Sequence, residues 1–277
     1  MSELAVRGVD EGLGARRALH RVELYRRDSI GSAYHVLTFE SETAIEVGAG
    51  QFAMVRSEAW GAAPLLPRPM SLLTGGHRPS ILIKVVGEGT RRMAVSSSGE
   101  PYLLLAPLGR TWAPPPSEQR CVLVAGGVGV APLLFLAREM AKAGAPKPLV
   151  LYGGRTAADL PLSAELGAVS ELRIATEDGS RGTKGRVTEL LKGALDELSV
   201  HMQEGKVYTC GPHGMMAAVA AMCAGRVRCE VSLETPMGCG YGVCLGCPVA
   251  RASGGFLYAC TEGPCVDASV IDWGHGA

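Results

Sequence analysis

Five of the nine cysteines in this 277-residue chain fall between residues 238 and 265, in "GCGYGVCLGCPVARASGGFLYACTEGPC". Cys239, Cys244 and Cys247 form a C-x4-C-x2-C run. With a distant fourth cysteine, this is the spacing of a plant-type [2Fe–2S] site. Cys260 is the natural fourth ligand, and Cys265 is either a spare thiol or its rival. Gly240, Gly242 and Gly246 let a loop wrap closely round sulfur, with N–H groups aimed at it. Structural zinc also takes four thiolates, but its sites usually pair cysteines as two C-x2–4-C clips. Only one close pair exists here, so the spacing favours iron–sulfur over zinc.

Four further stretches have chemical potential. "AGGVGVAP", residues 125–132, lies between a strand pattern and a helix pattern, where backbone N–H groups and the helix dipole favour phosphate. Gly127 and Gly129 fit G-x-G, but Pro132 stands where a third glycine would complete the dinucleotide fingerprint. A plain tight turn is the competing reading. "TCGPHGMM", residues 209–216, repeats the geometry and sets Cys210 at a strand end, where ligands of open α/β sheets bind. In the β-rich half, Arg68 of "RPMS" suits a phosphate and Ser71 a ring edge. "GEGT", residues 87–90, lets backbone approach a ligand. Taken singly, these last two are a strand end and a turn. Cys121, Cys223 and Cys229 sit among apolar neighbours and read as small core residues.

Elements must hold these groups in place. Residues 19–112 carry short β runs, "LHRVELYRRD", "AYHVLTFES", "SILIKVVGE" and "YLLLAPLG", broken by Gly, Pro and Ser, a pattern that predicts a small antiparallel barrel. "APPPSEQ", residues 113–119, marks a boundary, since three prolines cannot continue a sheet. Beyond it, strand and helix patterns alternate, which predicts a parallel sheet with helices on both faces. Regular periodicity fades after about residue 226. The expected fold is multidomain, β plus α/β. It comprises an N-terminal extension (1–18), a β-barrel (19–113), a nucleotide-binding α/β domain (118–225) and a small cluster domain (226–277).

Composition excludes some partners. The 27 basic and 27 acidic residues form no basic stripe, which argues against nucleic acid. No apolar run approaches 18 residues, so no membrane span is expected. The N-terminus lacks the apolar segment of a secretory signal, so a cytoplasmic location is expected, where clustered cysteines more often mean metal or catalysis than disulfides.

Taken together, "RPMS", "VVGEGT", "LLAPLGRTW", "AGGVGVAPL", "ATEDGSRGTKGRVTEL", "TCGPHGMM" and "MGCGYGVCLGCPV…YACTEGP" resemble the ferredoxin reductase superfamily. Within it, the chain is most similar to electron-transfer subunits of bacterial class B dihydroorotate dehydrogenases, over roughly residues 19–273. The resemblance implies FAD, a [2Fe–2S] cluster and NAD as cofactors. It implies that Arg68, Pro69, Met70 and Ser71 line FAD, with Leu82, Ile83 and Lys84 on the next strand and Gly89 and Thr90 at the pyrophosphate turn. Gly126, Gly127 and Gly129 would face NAD, with Cys210 and Gly211 near the nicotinamide. Cys239, Cys244, Cys247 and Cys260 match the cluster ligands. The chain departs from the pattern at Pro248 and Val249, near which relatives often carry another cysteine, and at Cys265, where they are commonly apolar.

The implied function is electron transfer between NAD and a separate catalytic subunit that carries FMN and oxidises dihydroorotate to orotate in pyrimidine biosynthesis. The implied assembly has two copies of each subunit. Two other readings stay open: a reductase subunit for another system (an oxygenase, a sulfide or NADPH–ferredoxin system), and a zinc-stabilised nucleotide-binding regulator. Arg155 stands just past the second strand of the nucleotide domain, where an acidic residue would grip a ribose hydroxyl of NAD. An arginine there accepts a 2′-phosphate, so NADP also stays open. The family reading is NAD, with Arg155 a solvated loop residue.

Overall fold

The computed structural model describes residues 17–113, 121–198 and 205–274. Most of the expected N-terminal extension and of the proline-rich boundary lies outside these residues.

Six strands close into an antiparallel barrel: β1 (Ala18–Ile30), β2 (Tyr34–Glu40), β3 (Phe52–Ser57), β4 (Arg68–Thr74), β5 (Ser80–Lys84) and β6 (Pro101–Leu108), in the order β1-β2-β5-β4-β3-β6. A short helix, α1 (Glu88–Met93), links β5 to β6. Alternating side chains fill the interior: Leu37, Phe39, Ile81, Ile83 and Tyr102 are buried, with Phe39 and Tyr102 ring centroids 5.1 Å apart. The sequence pattern leaves out β3 and shows β4 only as the strand end "RPMS". Pro69 has no N–H to give a ladder, and four of the seven β4 side chains are half-buried in a row, so no alternation announces the strand.

The second layer is a seven-stranded sheet. It contains β7 (Val122–Gly126), β8 (Leu149–Gly154), β9 (Glu171–Thr176), β10 (Thr183–Lys184), β11 (Lys206–Cys210), β12 (Arg228–Ser232) and, at its edge, β15 (Cys265–Asp267). The order is β10-β9-β8-β7-β11-β12-β15, parallel except for the antiparallel β12–β15 pair. The central strands β7 and β11 are buried along their whole length, as strands covered on both faces must be. Around the sheet lie α2 (Val130–Lys142), α3 (Ser163–Val169), α4 (Val187–Leu198) and α5 (His213–Cys223). Pro132 fits the first turn of α2, and Gly144, at φ +70°, follows its end.

The sheet does not stop at residue 225. β12, "RCEVS", continues it, but Arg228 and Glu230 interrupt the apolar run and hide the strand from a sequence reading. Glu230 is held there by Lys206 Nζ, 2.7 Å from its Oε1. The segment between β12 and β15 carries the thiol loop and a small hairpin, β13 (Pro248–Ala250) and β14 (Phe256–Tyr258). One apolar core joins the barrel to α2 and the sheet, so β4 and the start of α2 face each other across a common interior.

Candidate functional site

Where the barrel meets the sheet, a cleft opens. Its barrel wall is Pro69, Met70 and Ser71 of β4, with Leu82 of β5. Its opposite wall is Gly129 and Pro132 near the start of α2, Cys210 at the end of β11, and residues 232–235 with Met237 after β12. The expected flavin residues therefore divide. Arg68 lies beside Gly89: a Cβ on Gly89 would stand 2.7 Å from Arg68 Nε. Its guanidinium also lies over the Trp60 ring, 6.0 Å from the centroid. Thr90 uses its hydroxyl locally, accepting from Val86 and Gly87 N–H at 3.0 and 3.1 Å, which pins the turn before α1. Strand pleating separates the other three. Ile83 points into the barrel core, whereas Leu82 and Lys84 point out. Leu82 reaches this cleft, and Lys84 reaches a different cavity.

That second cavity, of about 360 Å³, sits over the carboxyl ends of β7, β8 and β11. Gly126 and Gly127 line it, as the strand-to-helix turn suggests. Gly127, at φ +53°, makes a turn that β-branched residues resist, and Tyr152 OH donates to its carbonyl at 2.9 Å. Gly129 and Cys210 fall in the first cleft instead. A Cβ on Gly129 would stand 2.4 Å from Cys210 O, so only glycine lets α2 start against the end of β11. Gly211 abuts Gly126: a Cβ there would stand 3.0 Å from Gly126 Cα. These two contacts bring the two glycine turns together and make the cleft and the cavity neighbours. Burial, with Glu234 adding to it, pushes the Cys210 thiol up to about 12, so it is a neutral wall rather than a nucleophile. Arg155, Asp159, Glu177, Arg186 and Met215 also line the cavity. Of these the sequence singled out Arg155 alone. The others come from a strand end, a turn and two helix starts that only the fold brings together.

The thiols gather below the cleft, two residues past Met237. Backbone N–H groups of Tyr241 and Cys244 point at Cys239 Sγ, both at 3.5 Å. Gly246 N–H points at Cys244 Sγ at 3.4 Å, and Cys260 N–H at Cys247 Sγ at 3.5 Å. Cys239 interacts with Cys244, and Cys260 with both Cys247 and Cys239, so the four sulfurs form one group. Cys247 and Cys260 are buried, Cys239 is half-buried and Cys244 is exposed. Burial alone would raise the Cys239 thiol, but the surrounding N–H groups outweigh it and hold it at about 6. Cys260 is pushed up to about 12 by burial and by the facing Cys247. Crowded thiols of this kind ionise together only when a cation shares them. Among the described residues no three His, Cys, Asp or Glu side chains converge as a single-ion site. Four thiols in one group, with backbone N–H groups aimed at sulfur, are a donor set that fits a [2Fe–2S] cluster. Cys265 stands apart. It pairs with Ser232 in the sheet, and its Sγ lies 3.8 Å from Gly50 O.

Two family models match the chain. Residues 123–221 match an oxidoreductase NAD-binding domain. Residues 234–272 match the iron–sulfur cluster binding domain of dihydroorotate dehydrogenase B. Among curated proteins, the dihydroorotate dehydrogenase B (NAD(+)) electron transfer subunit of Geobacillus kaustophilus is 35% identical, over 80% of this chain and 86% of its own length. The protein of the same name from Desulforamulus reducens is 36% identical, over 81% and 86%. The chain belongs to this family of electron transfer subunits. Among solved structures, a chain of an NADH-dependent reduced ferredoxin-NADP oxidoreductase, studied for flavin-based electron bifurcation, superimposes with a TM-score of 0.78. It is 25% identical, and the match covers 95% of this chain and 92% of that one. The barrel and parallel sheet are thus a ferredoxin reductase-like fold, to which the family adds its C-terminal iron–sulfur domain. In the family's terms, the thiol loop lies inside the matched iron–sulfur segment, and the second cavity's glycine turns lie inside the matched NAD-binding segment.

Proposed function

We propose that this chain is the electron-transfer half of a dihydroorotate dehydrogenase, carrying electrons between its catalytic subunit and NAD. The observation that carries the reading is contiguity. The glycine-turn cavity meets the barrel–sheet cleft at the Gly129–Cys210 and Gly126–Gly211 contacts, and the thiol loop begins two residues along the chain from Met237 of the cleft wall. A flavin in the cleft and a [2Fe–2S] cluster on the thiols supply the exchange between two-electron and one-electron chemistry.

The chain's own groups supply position. In this reading Pro69, Met70, Ser71 and Leu82 hold the flavin ring, and Arg68 with Gly89 and Thr90 holds its phosphate end. Backbone N–H groups of the Gly126–Gly127 turn, at the start of α2, receive the NAD phosphates. Gly129 keeps the two sites in contact by letting backbone meet backbone. Cys210, neutral and buried, closes the cleft against water. Cys239, Cys244, Cys247 and Cys260 hold the cluster, with N–H groups offsetting thiolate charge. Cys244 and its exposed neighbours Val243 and Leu245 give that end an open face toward a partner.

The partner in this reading carries FMN, and the complex holds two copies of each subunit in the cytoplasm. Among the described residues no helix is long and apolar enough to cross a membrane. Recombining the purified chain with the catalytic subunit tests the function. NAD-dependent orotate formation is expected from the mixture and not from this chain alone. An NAD-reducing chain that never supports orotate formation would belong to another reductase system.

A further inference from the structure

The second cavity is walled almost wholly by the α/β domain. Lys84, at the end of β5, is the one barrel residue among its described lining residues. Its ammonium is already engaged. Nζ donates to Asp159 Oδ1 at 3.0 Å, and Tyr34 OH, from β2, donates to the same oxygen at 3.0 Å. Asp159 Oδ2 lies 3.5 Å from Arg155 Nε. Asp159, in the turn after β8, thus clasps two barrel residues and one residue of its own domain.

The clasp is neither a loose surface pair nor a sealed one: the Asp159 side chain is 15% exposed and that of Lys84 30%. Burial alone would raise the Asp159 carboxyl, but the bonds from Lys84 and Tyr34 outweigh it and lower it. For Lys84, burial would lower the ammonium, and the bonds to Tyr34 and Asp159 outweigh that and raise it. Both groups are therefore charged at neutral pH. With Arg155, this wall keeps one net positive charge.

Its place separates it from an ordinary interdomain ion pair. Lys84, Arg155 and Asp159 all line the cavity, and Tyr34 OH lies 3.8 Å from where a Cβ of Gly127 would be. The clasp therefore adjoins the turn whose N–H groups suit a diphosphate. A flexible lysine and an exposed arginine lose much side-chain freedom when they meet a ligand. A carboxylate that already holds both removes part of that cost.

The geometry points to Asp159 as a positioning residue for the dinucleotide's diphosphate, holding Lys84 of the barrel and Arg155 of the α/β domain on one wall so that tight binding requires the clasp between domains. The inference rests on the reading of this cavity as the NAD site.

Calorimetric titration of the full, flavin-loaded chain with NAD+ tests it, alongside NADH-driven flavin reduction in stopped flow. Asp159→Asn makes the wall more positive, and charge alone would tighten an anionic ligand. Positioning has the opposite sign: the dissociation constant should rise about tenfold, the worth of one charge-assisted hydrogen bond. Lys84→Met should weaken binding similarly, and the double variant should be no worse than Lys84→Met alone. Asp159→Glu should recover most of the affinity. The limiting flavin-reduction rate at saturating NADH should change far less than the affinity. If Asp159→Asn folds poorly, Tyr34→Phe keeps both charges and should weaken binding in the same direction. Unchanged or tighter NAD+ binding by Asp159→Asn, or strictly additive losses in the double variant, would overturn the inference. A wild-type chain that binds no NAD+ would instead overturn the site reading beneath it.

Discussion

Replacing Cys260 by serine should abolish or strongly perturb the cluster signal, while replacing Cys265 by serine should leave it nearly intact. Both cysteines follow Cys247, and spacing alone leaves both in play. The fold places Cys260 two residues after the β14 hairpin strand, its N–H 3.5 Å from Cys247 Sγ. Cys265 belongs to the edge strand of the large sheet, in register with Ser232, its buried sulfur against Gly50 O. Moving that sulfur to the thiol loop would break the β12–β15 pairing. Oxygen is a harder ligand than sulfur, so a serine at a ligand position shifts the potential and stability of an iron–sulfur site. Flavin content and NADH-dependent flavin reduction should survive in Cys260→Ser, because those sites lie in other parts of the fold. Electron paramagnetic resonance of the two reduced variants decides. A lost signal in Cys265→Ser with an intact one in Cys260→Ser reverses the assignment.

Gly129→Ala should cripple both the cleft and the cavity. The added Cβ would stand 2.4 Å from Cys210 O, 2.5 Å from Cys210 C and 2.7 Å from Gly211 N. These are backbone atoms of a fully buried strand end, so no side chain can swing aside. Either α2 or β11 must shift. Overpacking of this kind costs about 1–3 kcal/mol, seen as a lower denaturation midpoint. The shift would also move Cys210 and Gly211 relative to Gly126 and open the contact between the two ligand sites. NADH-driven flavin reduction should fall by about two orders of magnitude, the cost of a 1 Å misplacement near reacting groups. Wild-type reduction rates in Gly129→Ala would show that this contact does not set the geometry. Gly214→Ala is the control: Gly214 lines the neighbouring cavity, yet a Cβ there meets nothing within 4 Å.

The thiol loop was legible in the sequence because its thiols are local: three sit within nine residues, and the fourth lies two residues past the next hairpin strand. The buried parallel strands β7 and β8 were legible because continuous apolar runs need no partner to be recognised. Other features depended on distant chain. Whether Cys265 was a ligand turned on its pairing with Ser232 across the sheet edge. β3 and β4 lacked alternation, and β12 was masked by Glu230, whose carboxylate is held by Lys206 on the neighbouring strand and by the Ala113 N–H. The family resemblance set Lys84 with the flavin strand, and in the fold its side chain lines the second cavity. Asp159 carried no signal, since its partners Lys84 and Tyr34 lie 75 and 125 residues away.

Anaerobic addition of NADH to the isolated chain, followed by visible absorption and low-temperature electron paramagnetic resonance, tests the electron path most directly. The as-purified protein should carry about one FAD and two irons per chain, the composition of a single [2Fe–2S] flavoprotein unit. NADH should bleach the flavin bands and then raise the signal of a reduced [2Fe–2S] cluster in the same molecule. A colourless protein with stoichiometric zinc, or a flavin that NADH reduces while the cluster stays silent, would contradict the account.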